Sequence, residues 1–300
     1  MTPAISRAAQ PAPARRTLLL AGLAMAFFST NSLLARFALR AGEIDWGSFT
    51  AVRIVAGALA LVLLTGFRPE GLRAVLHHGS LRAAIALFTY SLAFSYAYLS
   101  LNAGTGALVL FAAVQMTMLA IGIAGGERPA YSEWIGLAMA LGGLVSLALP
   151  GLAAPSAVGL SVMALSGASW GYYSLAARGF SSMVAATAGN FARAVPLALA
   201  ALILVWRTGH VHATWFGIGL AAVSGAVASG LGYAIWYVAV KNLRTSVAAV
   251  VQLTVPVLTA IAGVLLLGEQ LTWRLALASI AILGGVALAL SGRARSLPGQ

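Results

Sequence analysis

The chain has 300 residues, of which 61% are hydrophobic and 8% charged, and its mean hydropathy is +0.94. A soluble domain carries about 25% charged residues to cover its surface in water, so this composition excludes a soluble globule and requires a surface that faces lipid. The net charge of +12 raises the possibility of a nucleic-acid partner, which its distribution along the chain excludes below.

A membrane-crossing helix needs about 20 mostly apolar residues, and ten such runs follow one another. None shows the period-2 alternation of a membrane barrel, so helices are expected. The first, 17–39, carries Asn31 and follows Arg15 and Arg16. It continues past any signal-cleavage site to Leu39, so it is expected to stay in the chain. The second, 46–66, carries Arg53 about seven residues in, roughly 10 Å deep; its side chain is expected to snorkel towards Asp45 or the interface. The third, 81–100, places Tyr90, Phe94 and Tyr98 on one face at four-residue spacing. A tight turn is expected over Asn102 to Gly106, before the fourth run, 105–124, which carries Gln115.

The fifth run, 132–149, has small residues at four-residue spacing (Ala138, Gly142, Ser146), as does the tenth, 272–291, with Ala276 and Gly284. Both patterns suit close helix packing. The sixth, 158–177, carries Trp170 and Tyr173 one turn apart. The seventh, 184–206, contains Asn190, Arg193 and Pro196. The eighth, 214–240, places Ser229, Tyr233 and Trp236 on one face beside Tyr237, after glycines at 225, 230 and 232. The ninth, 245–267, holds Gln252 and Pro256. Each proline removes a backbone hydrogen bond and kinks its helix, serving as a hinge or as a fixed bend.

With the N-terminus in the cytoplasm, Arg7, Arg15, Arg16, Arg68, Arg73, Arg82, Arg128, Arg178, Lys241, Arg244, Arg293 and Arg295 fall inside, and only Arg40, Arg207 and Arg274 outside. Twelve against three is the bias of the positive-inside rule. The basic charge therefore sets topology rather than binding nucleic acid. A bacterial-type inner membrane with both termini cytoplasmic is expected. The zero cysteines exclude a disulfide framework, a Cys-based metal site and thiol chemistry. His77, His78, His210 and His212 all fall in expected loops without acidic neighbours at metal spacing. No metal and no cofactor is expected.

The chain also repeats itself. Gly126-Glu127, with Gly142-Gly143 following, recurs 142 residues later as Gly268-Glu269 with Gly284-Gly285. Leu34-Ala35-Arg36 matches Ala176-Ala177-Arg178 at the same offset, and the segment around Arg53 matches that around Arg193 at offset 140. Each copy holds five runs, so the second must enter the membrane in the opposite sense. The expected organisation is a cytoplasmic tail (1–16), a first five-helix repeat (17–150), a periplasmic linker (151–157), a second repeat (158–291) and a cytoplasmic tail (292–300). Inverted repeats recur in secondary transporters, with the substrate between the halves near the midplane.

The repeated unit resembles the drug/metabolite transporter superfamily, in its ten-helix branch of EamA-like metabolite exporters. The residues that carry the resemblance are Ala168-Ser169-Trp170-Gly171, the arginine near the start of each second helix, the Gly-Glu ending each fourth, and Gly284-Gly285-Val286-Ala287-Leu288. The resemblance implies export of amino acids, including aromatic ones, or of other metabolites, nucleotide precursors or drugs. The first repeat departs from the pattern, with Phe28-Ser29 in place of Trp-Gly and Gln115-Met116 in place of the Pro256-Val257 of the second. A symmetric site is therefore not assumed.

Polar groups at membrane depth are costly and mark interior or cavity. Four amides qualify (Asn31, Gln115, Asn190, Gln252), and they suit a zwitterion or a polar neutral solute. Helix-to-helix hydrogen bonding is their plain alternative role. Trp46, Trp134, Trp206, Trp215 and Trp273 lie near span ends, as the headgroup belt requires, whereas Tyr90, Phe94, Trp170, Tyr233 and Trp236 do not. The expected substrate site comprises Asn31, Tyr90, Phe94, Tyr98, Gln115, Trp170, Asn190, Arg193, Tyr233, Trp236, Tyr237 and Gln252, with the second, fifth and tenth helices contributing little. Arg193 is the candidate for a substrate carboxylate. All six acidic residues fall in loops or near span ends, which disfavours proton coupling through a midplane carboxylate. The chain also lacks a Walker A sequence, a Gly-x-Ser-x-Gly and paired carboxylates. The reading is a gradient-driven exporter, not an enzyme, whose partners are a small-molecule substrate and the lipid bilayer, as a monomer or weak homodimer.

Overall fold

The computed structural model describes residues 15–66, 71–126, 130–149, 154–176, 182–240, 243, 248 and 251–296. Residues 1–14 and 297–300 of the tails, the linker residues 150–153 and the repeat residues Glu127, Arg128, Ala177 and Arg178 lie outside the described residues. The described residues form eleven helices and no strand. They are α1 (Arg15–Arg40), α2 (Trp46–Gly66), a short α3 (Gly71–His77), α4 (Leu81–Ala97), α5 (Ala103–Ala124) and α6 (Tyr131–Ala148). The second half supplies α7 (Ala157–Ala176), α8 (Met183–Arg207), α9 (Trp215–Val240), α10 (Thr254–Leu267) and α11 (Trp273–Ser296).

Leaving α3 aside, each of the ten remaining helices falls on one apolar run; in the ninth, 245–267, residues 245–247, 249 and 250 lie outside the described residues and α10 begins at Thr254. Five are long and apolar enough to cross a membrane by themselves, and four more are shorter apolar helices. Their outer faces carry exposed Leu, Ile, Val and Trp side chains, including Trp134, Trp206, Trp215 and Trp273 near helix ends. This is an all-α membrane protein built as two inverted five-helix repeats.

The packing maps onto itself when the halves are exchanged, with α1 taking the place of α7, α2 of α8, α4 of α9, α5 of α10 and α6 of α11. Contacts of α4 with α7 are mirrored by α9 with α1, α5 with α7 by α10 with α1, and α4 with α8 by α9 with α2. The pairs α2–α8, α5–α10 and α6–α11 lie across the pseudo-axis.

Two expectations are corrected. The turn after α4 runs through Tyr98 to Asn102, one turn earlier than Asn102 to Gly106. Gly104 and Gly106 are helical instead, because a side chain at either would strike Ala260 or the Tyr98 ring. These glycines serve close packing, not the bend. The small-residue stripe joining α6 to α11 runs through Gly136, Ala140 and Gly143 against Ala278, Ile282 and Gly285. Ala138, Gly142 and Gly284 are exposed: in lipid both faces of a helix are apolar, so hydropathy does not choose between registers. Finally, α9 is π-helical over Ser224–Leu231. A π-segment inside an α-helix is rare and concentrates at functional sites.

Candidate functional site

One aromatic column runs through the middle of the bundle. Phe94 contacts Tyr98 at 4.8 Å and Tyr90 at 5.6 Å between ring centroids, and Tyr90 contacts Trp170 at 4.9 Å. Trp170 lies 4.9 Å from Tyr233 and 5.2 Å from Tyr173. Phe28 packs edge-on against Tyr233 and Trp236 at 5.7 and 6.2 Å. It occupies the repeat position of Trp170, 142 residues earlier. Centroid spacings of 4.5–7 Å are those of attractive aromatic pairs. The column therefore draws on α1, α4, α7 and α9, that is, on both halves.

Phe28, Asn31, Ser32, Tyr90, Phe94, Leu110, Phe111, Trp170 and Tyr233 enclose a cavity of about 20 Å³, room for about one water molecule. A metabolite does not fit in a space of that size. Tyr90 is its polar hub: its hydroxyl oxygen accepts from Arg53 Nη2 at 2.8 Å and from Asn31 Nδ2 at 3.4 Å. Asn31 Oδ1 in turn accepts from the Ser224 hydroxyl at 2.6 Å, so the first π-helical residue of α9 is tied to α1.

Arg53 is not where the sequence placed it. Its side chain is buried, 1% exposed, and reaches inward rather than to Asp45. Its Nε donates to Ser229 Oγ at 3.3 Å, and its guanidinium carbon stands 5.0 Å from the Tyr90 ring centroid and 4.7 Å from that of Phe94. Asp45 is engaged elsewhere, accepting from the N–H groups of Gly47, Ser48 and His212. Thus α2, expected to contribute little, supplies the buried cation at the centre. Arg193, at the equivalent position on α8, reaches outward and donates to the carbonyls of His78 and Gly189 at 2.9 Å. The two arginines thus reach opposite ways, Arg53 inward and Arg193 towards the α3–α4 turn, whose carbonyl groups lie over α8.

The remaining expected residues divide. Asn31, Tyr90, Phe94, Trp170 and Tyr233 line the cavity. Tyr98 closes the column towards the end that carries the α1–α2 turn. Trp236 and Tyr237 are buried on α9. Asn190 sits with Arg193 and accepts from Ser80 N–H at 2.9 Å, fixing the start of α4 rather than facing the cavity. Gln115 and Gln252 stand apart from the described cavity lining, and Gln115 Nε2 is buried without a hydrogen-bond partner.

A second network was not read from the sequence. Arg36 and Glu269 form a buried ion pair at 3.2 Å. Arg36 also donates to the carbonyls of Tyr98 and Leu99 and to Asn102 Oδ1. Glu269 accepts the N–H of Ala103 at 2.8 Å, capping α5 at the positive end of its dipole. The pair thereby locks α1, α4 and α5 of one half to the α10–α11 connection of the other. Its sequence signal was the repeat itself, which singled out both Leu34-Ala35-Arg36 and Gly268-Glu269.

The comparisons agree with this architecture. A crystal structure superposes with a TM-score of 0.66 over 96% of this chain and 100% of its own at 22% identity, a likeness of fold. A relative named "Uncharacterized protein PA1977", from Pseudomonas aeruginosa, is 51% identical over 281 residues, which are 94% of this chain and 96% of that protein. The description "EamA-like transporter family" matches residues 157–291, the second repeat. The second repeat, residues 157–291, is thus an EamA-like transporter family domain.

Proposed function

We propose that the protein is a secondary exporter of small metabolites, with neutral and aromatic amino acids as the leading substrates, working by alternating access across the inner membrane. The observation that carries this reading is the closed cavity, walled by aromatic side chains and an amide drawn from both repeats. Aromatic walls with a few placed polar groups suit a solute with an apolar body and a polar head. Hydrogen bonds between the halves close both ends: Arg36 with Glu269 at one, and Arg193 and Asn190 with the α3–α4 turn at the other. Opening one end while keeping the other gives the two states that alternating access needs. A catalytic role has no part in this reading, and the carrier acts as a monomer or weak homodimer.

A lipid flippase is the weaker reading. The structure has a groove of about 400 Å³ on α5, α10 and α11, lined by Leu108, Pro256, Val257, Ile261, Val264 and Leu283 among others. Ser279 is the one polar side chain in that lining, so the groove suits an acyl chain and offers a headgroup no polar path.

The test is flux in proteoliposomes with labelled amino acids, nucleosides and cations, with and without a pH gradient. Neutral or aromatic amino acids should move down their own gradient with little response to pH. Strong stimulation by a proton gradient would count against uncoupled export. Trp170→Phe should reduce flux with melting temperature nearly kept, because the smaller ring still packs on Tyr90 and Tyr233. Trp170→Ala is a poor probe here: the ring is enclosed on three sides, and losing such a core aromatic costs about 3–5 kcal/mol. If Trp170→Phe melts and transports like wild type, the column is packing alone. For orientation, a reporter fused after Gln300 should read cytoplasmic and one placed at 150–157 periplasmic. The reverse pattern would remove the charge argument for topology.

A further inference from the structure

Among the described residues, no carboxylate stands beside Arg53 at membrane depth. The four described acidic residues are all engaged elsewhere: Glu43 with the Thr214 hydroxyl, Asp45 with backbone N–H groups, Glu133 with Ala130 N–H, and Glu269 with Arg36. What Arg53 does meet is neutral: the hydroxyls of Ser229, Tyr90 and Tyr233 and the faces of two rings. Its Nη1 is buried and has no hydrogen-bond partner. An arginine is always charged and presents a rigid fork that matches a carboxylate, and a buried charge without a counter-ion is costly. A sequence that only needed to join α2 to α4 and α9 at this point had neutral side chains available.

Resting on the transporter reading above, we propose that Arg53 is the carboxylate-recognising group of the central site, so that the transported solute is an organic acid with an apolar or aromatic body. In this arrangement the ring faces of Tyr90 and Phe94 stand in for the anion by cation–π attraction. When the column parts to admit a solute, the carboxylate replaces them and the site becomes electrically neutral. The apolar body then lies against Trp170 and Tyr233. The same chemistry is offered by an amino acid and by a plain carboxylic acid; the described cavity lining contains no acidic side chain to claim an ammonium group.

The experiment uses four matched probes: 3-phenylpropionate (carboxylate only), L-phenylalanine (zwitterion), phenethylamine (cation) and 3-phenylpropanamide (neutral). Binding to the purified full-length protein is followed by tryptophan fluorescence and thermal shift, with flux in proteoliposomes alongside. The expected result is that one or both carboxylate-bearing probes bind and move at least about tenfold better than the amide, with the amine weakest. A preference for phenylalanine over phenylpropionate assigns the amino acid, and the converse assigns the plain acid. Arg53→Met should abolish the preference for carboxylate over amide, and Arg53→Lys should keep part of it. The wild-type panel tests the proposal even if Arg53→Met fails to fold. If all four probes bind equally and Trp170→Phe weakens each of them, the central site stands and the Arg53 assignment falls. If none binds, or Trp170→Phe changes nothing, both readings fall.

Discussion

Glu269→Gln is expected to open the Asp45 end of the bundle to water and to lower the melting temperature of the protein. The substitution removes the anion facing Arg36 at 3.2 Å and leaves a buried guanidinium with neutral partners only. Removing one member of a buried ion pair costs about 3–5 kcal/mol, more than the loss of a single neutral hydrogen bond at about 1 kcal/mol. The damage falls on one place, because Glu269 and Arg36 are what join the α10–α11 connection to α1, to the α4–α5 turn and to the Ala103 N–H. The chain has no cysteine, so a single introduced thiol is a clean reporter. Ser32→Cys is nearly isosteric and places that thiol on the wall of the closed cavity. A membrane-impermeant thiol reagent added from the Asp45 side should modify it slowly in the otherwise native chain and at least about tenfold faster beside Glu269→Gln. Arg36→Met should act in the same direction. The double variant Arg36→Met with Glu269→Gln should melt higher than the sum of the two single losses implies, because it leaves no orphaned charge. If all three variants melt lower while the labelling rate stays at its native value, the pair is a structural staple and not the closure of that end.

The sequence made the scaffold readable because lipid makes strict demands. Every backbone polar group must be satisfied within its own segment, so each crossing announces itself as a long apolar run. The second run, 46–66, coincides with α2 residue for residue, and the eighth, 214–240, lies within one residue of α9. The inverted repeat was readable because the residue types of the Arg36–Glu269 pair recur in the sequence of the other copy. What the sequence did not reveal is orientation around each helix. Away from lipid, a polar face and an apolar face tell which side is buried. In lipid both are apolar, which is why the α6 stripe was read one register away from Gly136, Ala140 and Gly143.

The arginines failed for a related reason. Arg53 and Arg193 share a repeat position. The choice between reaching inward and reaching outward was made by neighbours distant in sequence: Ser229 and Tyr90 for the first, the His78 carbonyl for the second. Of the site, the aromatic column was legible, because five rings lay away from the headgroup belt where tryptophan and tyrosine ordinarily gather. Its polar hub was only half legible. Asn31 stood out as an amide at membrane depth, but nothing in the chain indicated that the Tyr90 hydroxyl would accept from it and from Arg53 at once. The short α3 went unread because its seven residues are too few to announce themselves by hydropathy. The π-helical stretch of α9 left a trace in Ser224-Gly225-Ala226-Val227-Ala228-Ser229-Gly230, where small residues displace the usual large ones, but composition alone does not distinguish such a stretch from a hinge.

That stretch carries the last prediction, a contrast between two glycines on the same helix. A Cβ added at Gly225 would strike the Arg53 carbonyl group, and Gly57 opposite is held in turn by the Phe191 ring and the Gly225 carbonyl. The atoms in the way are backbone, which cannot swing aside as a side-chain end can, so Gly225→Ala must push α9 away from α2. Overpacking of this kind costs about 1–3 kcal/mol. It also lengthens the Arg53–Ser229 hydrogen bond, already 3.3 Å, and loosens the Arg53 contact with Tyr90. Gly219, six residues earlier, has open space where its Cβ would lie, and there the preference of a helix for alanine over glycine favours the variant by about 1 kcal/mol. Gly225→Ala is therefore expected to lower the melting temperature by several degrees and to cut flux severalfold or more, while Gly219→Ala melts at or slightly above the native temperature and transports normally. The carboxylate-bearing probes should lose more of their binding to Gly225→Ala than the neutral amide does, since the displaced group is the one that recognises them. Equal melting and equal flux for the two variants would mean that α2 and α9 do not cross as closely as Gly57 and Gly225 place them, and the position of Arg53 at the centre would lose its support.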